Sequence, residues 1–152
     1  MLISVISDTH GLLRPEALAA LAGVEHILHA GDIGDPGILD TLQKIAPVTA
    51  IRGNVDCWGE CAELPPTDAV ELGGRLFYLV HSAADLDINP VVADVAVVVS
   101  GHSHKPSSQT RDGVIFLNPG SAGPRRFSLP VTVALVTSTE DKLEARIVDL
   151  LP

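Results

Sequence analysis

Three short apolar runs in the first fifty residues each end in a polar cluster, and a proline-opened helical stretch separates each run from the next. Residues 2–7 lead into Asp8-Thr9-His10-Gly11, and Pro15 then opens a helix over 16–21 that Gly23 closes. Residues 26–30 run into Gly31-Asp32-Ile33-Gly34, and Pro36 opens a second helix to about Lys44. Residues 48–51 precede Arg52-Gly53-Asn54-Val55-Asp56. This β-α-β-α-β order predicts parallel strands joined by right-handed crossovers. In such sheets ligands collect beyond the carboxyl ends of the strands, where all three runs deliver polar side chains.

A second signal lies further on. Residues 95–99, Val-Ala-Val-Val-Val, read as a strand buried on both faces, and Ser100 and Gly101-His102-Ser103-His104 follow directly. Two imidazoles separated by one serine can serve one metal ion or two adjacent ones. Around this strand, 69–72 and 75–80 flank a Gly73-Gly74 turn and stop at His81. Residues 107–111 and 114–117 flank Asp112-Gly113, a hairpin signal, and lead to Asn118-Pro119-Gly120-Ser121. Residues 57–68 show no periodicity, 85–92 read as loop with a short helix, and 131–136 and 143–148 form a last β pair. The expectation is one α/β domain over residues 1–152: two packed mixed β-sheets flanked by helices, parallel units first and mostly antiparallel strands later.

A net charge of -9 argues against an extended nucleic-acid interface, and 3% aromatic content leaves few platforms for stacking bases. A small phosphorylated substrate stays compatible, because bound cations reverse the local field. Asp94, Arg75 and Pro130 break the apolar runs below membrane-spanning length, and Asp8 and His10 interrupt any signal-peptide pattern. Cys57 and Cys61 read as free thiols, and the expected location is cytoplasmic. The positive mean hydropathy leaves room for a buried homo-oligomer interface.

Collected in order, the polar strand ends are Asp8, His10, Asp32, Asn54, His81, His102 and His104. Each alone has a plain structural use: a helix cap for Asp8 or Asp32 (although Asp35 is better placed), a turn for Asn54 and Asp56, a strand-end histidine for His81. His29 can orient Asp32 or simply sit in its strand. Together they resemble the calcineurin-like metallophosphoesterase superfamily, whose series is D-x-H, G-D, G-N-x-[DE], H and G-H-x-H. Asn118-Pro119-Gly120-Ser121 with Arg125 and Arg126 looks like its small, cap-free prokaryotic phosphodiesterase branch (YfcE-like).

The resemblance implies two divalent cations per chain. Asp8, His10 and His104 would hold one, Asn54, His81 and His102 the other, and Asp32 would bridge them. Carboxylate, amide and imidazole donors suit Mn²⁺ first, with Ni²⁺, Co²⁺, Fe or Zn²⁺ also accommodated. The implied activity is hydrolysis of a small phosphodiester by a hydroxide shared between metals about 3.5–4 Å apart, with Asp32, Asn54 and His10 as catalytic residues. Arg125, Arg126 and Asn118 are the expected substrate contacts. Val55 stands where phosphatases and nucleases of the superfamily carry a proton-donating histidine. The competing readings are a phosphomonoesterase and a non-catalytic scaffold of the retromer-subunit type.

Overall fold

A computed structural model describes all 152 residues. The first half runs β1 (Leu2–Ile6), α1 (Pro15–Ala20), β2 (His26–His29), α2 (Pro36–Gln43), β3 (Val48–Ala50), β4 (Thr67–Leu72) and β5 (Arg75–Val80). The second half is all strand: β6 (Val95–Val99), β7 (Ser107–Arg111), β8 (Val114–Asn118), β9 (Thr132–Ser138) and β10 (Leu143–Asp149). They form two five-stranded sheets, ordered β10-β9-β1-β2-β3 and β4-β5-β6-β8-β7.

Both helices begin at the expected prolines. At α2 the Asp35 carboxylate accepts a 2.9 Å bond from the Gly37 N–H, so Asp35 and not Asp32 is the cap. Asp32 is thereby free for other work. Asp8 caps nothing, and the residue before α1 is Arg14, whose side chain makes no capping bond.

The alternation of side chains along each strand decides the layers. Ile3, Val5 and Leu28 from the first sheet meet Phe77, Leu79, Val97 and Val99 from the second, forming a dry layer between them. The opposite face of the first sheet, with Ile6, Ile27 and Val133, is covered by Ala17 and Leu21 beside α1 and by Ile38 and Leu42 of α2. The outer face of the second sheet, with Tyr78, Val80 and Val98, is covered by Leu86 and Ile88. That makes β6 a strand buried on both sides, as its valines require.

Two details differ from expectation. The cover over the second sheet holds no α-helix, only a 3-10 turn at Ala83–Asp85 and the loop after it. Asn89 explains part of this: its side-chain oxygen accepts from the N–H groups of Val91 and Val92, a local turn that competes with helix. The later strands are mostly antiparallel, as expected, but β5, β6 and β8 form a parallel seam that no local signal marks. A hairpin signal such as Asp112-Gly113 reports only the local partner of β8, and its other neighbour is set by long-range packing.

The result is that β1, β2, β3, β5, β6 and β8 end on one edge of the sandwich. Backbone bonds stitch the ends together: Asp8 N–H to Gly31 O, His10 N–H to Asp32 O and Gly101 N–H to His81 O, all 2.8–3.0 Å. No helix is long and apolar enough to cross a membrane.

If the inter-sheet layer carries the stability, Leu79→Ala should cost about 2–5 kcal/mol, while Asp35→Ala should cost about 1 kcal/mol. Chemical denaturation of both variants checks this; equal losses would contradict the assignment of the core.

Candidate metal centre

Asp8 and Asp32 are each held by one oxygen and left free at the other. Asp8 Oδ2 accepts from Ser7 Oγ at 2.7 Å and from the His102 backbone N–H at 3.1 Å. Asp32 Oδ1 accepts from the Val55 N–H at 3.0 Å. The remaining oxygens face a cluster of imidazoles. His10 Nε2 lies 3.7 Å from Asp8 Oδ1 and 3.6 Å from Asp32 Oδ2. His81 Nε2 lies 3.2 Å from Asp32 Oδ2 and His104 Nε2 3.4 Å from Asp8 Oδ1.

The site is walled by residues that permit close approach. A Cβ on Gly53 would collide with Asp32, and one on Gly101 would collide with Ser7 and Asp8. Five of the eight non-glycine residues with left-handed backbone are Asp8, His10, Asp32, His102 and His104. Each such residue costs of order 1 kcal/mol. Strain concentrated on one group of side chains marks a place where geometry is kept at the expense of local comfort.

Supporting groups fix the orientation. His81 Nδ1 donates to Ala30 O at 2.7 Å, which leaves Nε2 as the lone-pair nitrogen facing the carboxylates. His29 accepts from Gly31 N–H at Nδ1, lies 3.1 Å from Thr9 Oγ1 through Nε2, and makes no bond to Asp32. Asp56 accepts from the N–H groups of Ile33, Gly34 and Gly53, tying the second and third strand ends together. Asn118, expected to touch substrate, uses its amide to hold Gly101 O, Ser103 Oγ and the Gly120 N–H.

Electrostatics follow from this arrangement. Burial pushes the Asp32 carboxyl upward, but His81 Nε2 3.2 Å away, the Val55 N–H and the charge of His81 and His10 outweigh it and hold Asp32 well below the usual carboxylate range. Burial likewise opposes protonation of His81, yet the adjacent Asp32 carboxylate and the bond to Ala30 raise it above the ordinary value. His104 is lowered by burial, with Arg126 and His10 adding repulsion to the attraction of Asp8. His29 is lowered to about 3, first by burial and then by the nearby charge of His81.

Asp8 Oδ1, His10 Nε2 and His81 Nε2 are buried and have no hydrogen-bond partner, although they converge on one point. Orphaned acceptors gathered in this way fit cations. Two overlapping groups are close enough to bind: Asp8, His10 and His104, and Asp8, Asp32 and His81. His102 brings its ring to 5.3 Å from that of His81, and Asn54 shares a cavity wall with His81, so the structure places all seven expected residues about one edge. Arg125 and Arg126 lie on an exposed loop; Arg125 donates to Leu129 O, and Arg126 is near enough for its charge to act on His104. Ser7 and Thr9 were not singled out in the sequence; only their positions beside Asp8 could have drawn attention to them.

The chain belongs to the calcineurin-like phosphoesterase superfamily, whose domain model matches residues 1–141. It is 36% identical to a probable metallophosphoesterase of Methanothermobacter thermautotrophicus, over 97% of this chain and 92% of the relative. A probable metallophosphoesterase of Methanocaldococcus jannaschii is 33% identical over 99% of this chain and 82% of its own length. Among solved structures, an archaeal phosphodiesterase superposes with a TM-score of 0.80 at 24% identity, covering 98% of this chain and 99% of the other. Chaetomium thermophilum Vps29 superposes at 0.78 and 20% identity, covering 97% and 94%. Both likenesses establish the fold.

The buried histidine at the end of β2 makes a pH prediction for the metal-free protein. Unfolded His29 takes a proton below about 6.5, while folded His29 takes one only near 3, so the unfolded state binds more protons in between and stability is lost as pH is lowered. His81 acts in the opposite sense and above this window, because its raised value makes its contribution full below 6.5 and lost as pH rises through the folded value. Between about pH 6.5 and 4.5, His29→Gln should remove a slope of about 1.4 kcal/mol per pH unit. Denaturation curves across that range check it, and an unchanged slope would contradict a neutral buried His29.

Proposed function

We propose that the chain is a divalent-metal-dependent phosphodiesterase acting on small diesters. The observation that carries this reading is the convergence of unpartnered, buried Asp8 Oδ1, His10 Nε2 and His81 Nε2 beside Asp32. Asp8, His10 and His104 would hold one cation, Asn54, His81 and His102 a second, with Asp32 between them. Manganese suits this oxygen and imidazole set best, and nickel, cobalt, iron or zinc would also fit. Bound there, the cations supply Lewis acidity, acidifying water and neutralising phosphate charge.

The protein's own part is positioning and protection. The Val55 N–H, by pinning Oδ1, keeps the Asp32 carboxylate from rotating, so that Oδ2 would stay available to a cation. The Ala30 carbonyl keeps His81 in the tautomer that offers Nε2 inward. The positive charge of Arg126, near His104, favours an anionic phosphate. Val55 follows Asn54 and carries no transferable proton, so the leaving oxygen departs without acid help at that position. This favours leaving groups of low pKa. The resemblance also raised a non-catalytic scaffold; the full donor set and the orphaned acceptors support catalysis over it.

Two measurements follow. Metal titration by calorimetry should give two Mn²⁺ per chain, and a single equivalent would contradict the paired centre. Hydrolysis of p-nitrophenyl diesters should exceed that of alkyl diesters and should fall at least about a hundredfold in Asp32→Asn. Equal rates on both ester types would overturn the missing acid, and undiminished activity in the variant would overturn the role of Asp32.

A further inference from the structure

Beside the candidate metal centre opens a cavity of about 390 Å³ lined by His81 and Asn54 and also by Asp85 and Asp87. His81 is 7% exposed, and its unpartnered Nε2 connects this space to the carboxylate cluster. The lining is mostly polar: Thr67 and Ser82 add hydroxyls, and the His81 imidazole is its one ring.

Charge narrows the occupant further. Neither Asp85 nor Asp87 is in an ion pair with a lysine or arginine. Asp87 Oδ1 accepts from the Tyr78 hydroxyl at 2.7 Å, which orients that carboxylate without neutralising it. Arg52, the one cation of the lining, has its Nη1 directed to Leu64 O at 3.0 Å and Ala62 O at 3.4 Å. The lining thus has two carboxylates against one guanidinium that is turned toward its own loop. At this end of the cavity the two carboxylates disfavour an anionic group and offer a compact cation two acceptors.

We propose that this cavity holds the retained ester arm of the substrate and selects a small cationic amino alcohol there. The inference rests on the phosphodiesterase reading and adds the class of diester. With the phosphate at the centre, the arm that is not expelled extends past His81 and Asn54 and brings its ammonium between Asp85 and Asp87. The leaving group lies on the other side and is subject to the separate demand for low pKa. Both carboxylates are exposed, so the selection weakens with salt.

The test uses the metal-loaded full chain and p-nitrophenyl phosphodiesters that share one leaving group and differ in the other arm: aminoethyl, propyl or carboxyethyl. At low ionic strength kcat/KM should favour aminoethyl over carboxyethyl by at least about tenfold, with propyl between. In Asp85→Asn/Asp87→Asn, which keeps an acceptor for Tyr78, this ratio should fall to within about threefold, and Asp85→Lys should turn it toward carboxyethyl. The ratio is taken within one protein, so partial loss of folded material lowers all rates and leaves it unchanged. Calorimetry gives a second readout: ethanolamine phosphate should bind more tightly than phosphoglycolate, and the difference should vanish in the double variant. Hydrolysis of all three esters at equal efficiency, or a preference that survives the double variant, would overturn the arm assignment alone. Failure to hydrolyse any of them would overturn the phosphodiesterase reading and this inference together.

Discussion

Two carboxylates, each fastened by one oxygen and offered by the other, set the terms for the rest of the molecule. A free aspartate at a strand end would sweep its charge through solvent. Ser7 and the His102 N–H stop this for Asp8, and the Val55 N–H stops it for Asp32. The price of such fixation is that the unfastened Asp8 Oδ1 has no hydrogen-bond partner in the protein, and three histidines are turned to face it and Asp32 Oδ2. An arrangement so costly in buried, unsatisfied groups makes sense as a receptacle for positive charge.

Much of the remaining architecture serves to bring separate strand ends to that point. The inter-sheet layer of Ile3, Val5, Leu28, Phe77, Leu79 and Val97 sets the two sheets face to face, so that β5 and β6 deliver His81, His102 and His104 opposite the aspartates of β1 and β2. Three buried polar groups then lock the loops. Asp56 clamps the second and third ends, His29 joins Thr9 to Gly31, and Asn118 clamps the Gly101–Ser103 turn to Gly120. The left-handed backbone at five of the seven central residues is held against its own preference by these locks.

The candidate ligand series was legible in the sequence because it falls, in order, at the ends of successive apolar runs; each residue alone has a plain structural use, and only the full set points to one site. Proline-opened helices made the parallel first half readable in the same way. What stayed hidden depends on partners distant in sequence. Nothing local in Asn118 says that its amide belongs to Gly101 and Ser103, or that Asp56 reaches back to Ile33. The parallel seam of β5, β6 and β8 was equally out of reach, since each β-hairpin announces only its own pair. His29 was open between two uses, and its bonds to Thr9 and Gly31 assign it to the scaffold of the site.

The central claim is that seven side chains grip two cations around one shared carboxylate. Anomalous diffraction from crystals grown with Mn²⁺ tests it most directly. The account predicts two peaks about 3.5–4 Å apart with Asp32 between them and Asp8 and His81 on opposite sides. A single peak away from Asp32, or none at saturating metal, would contradict it.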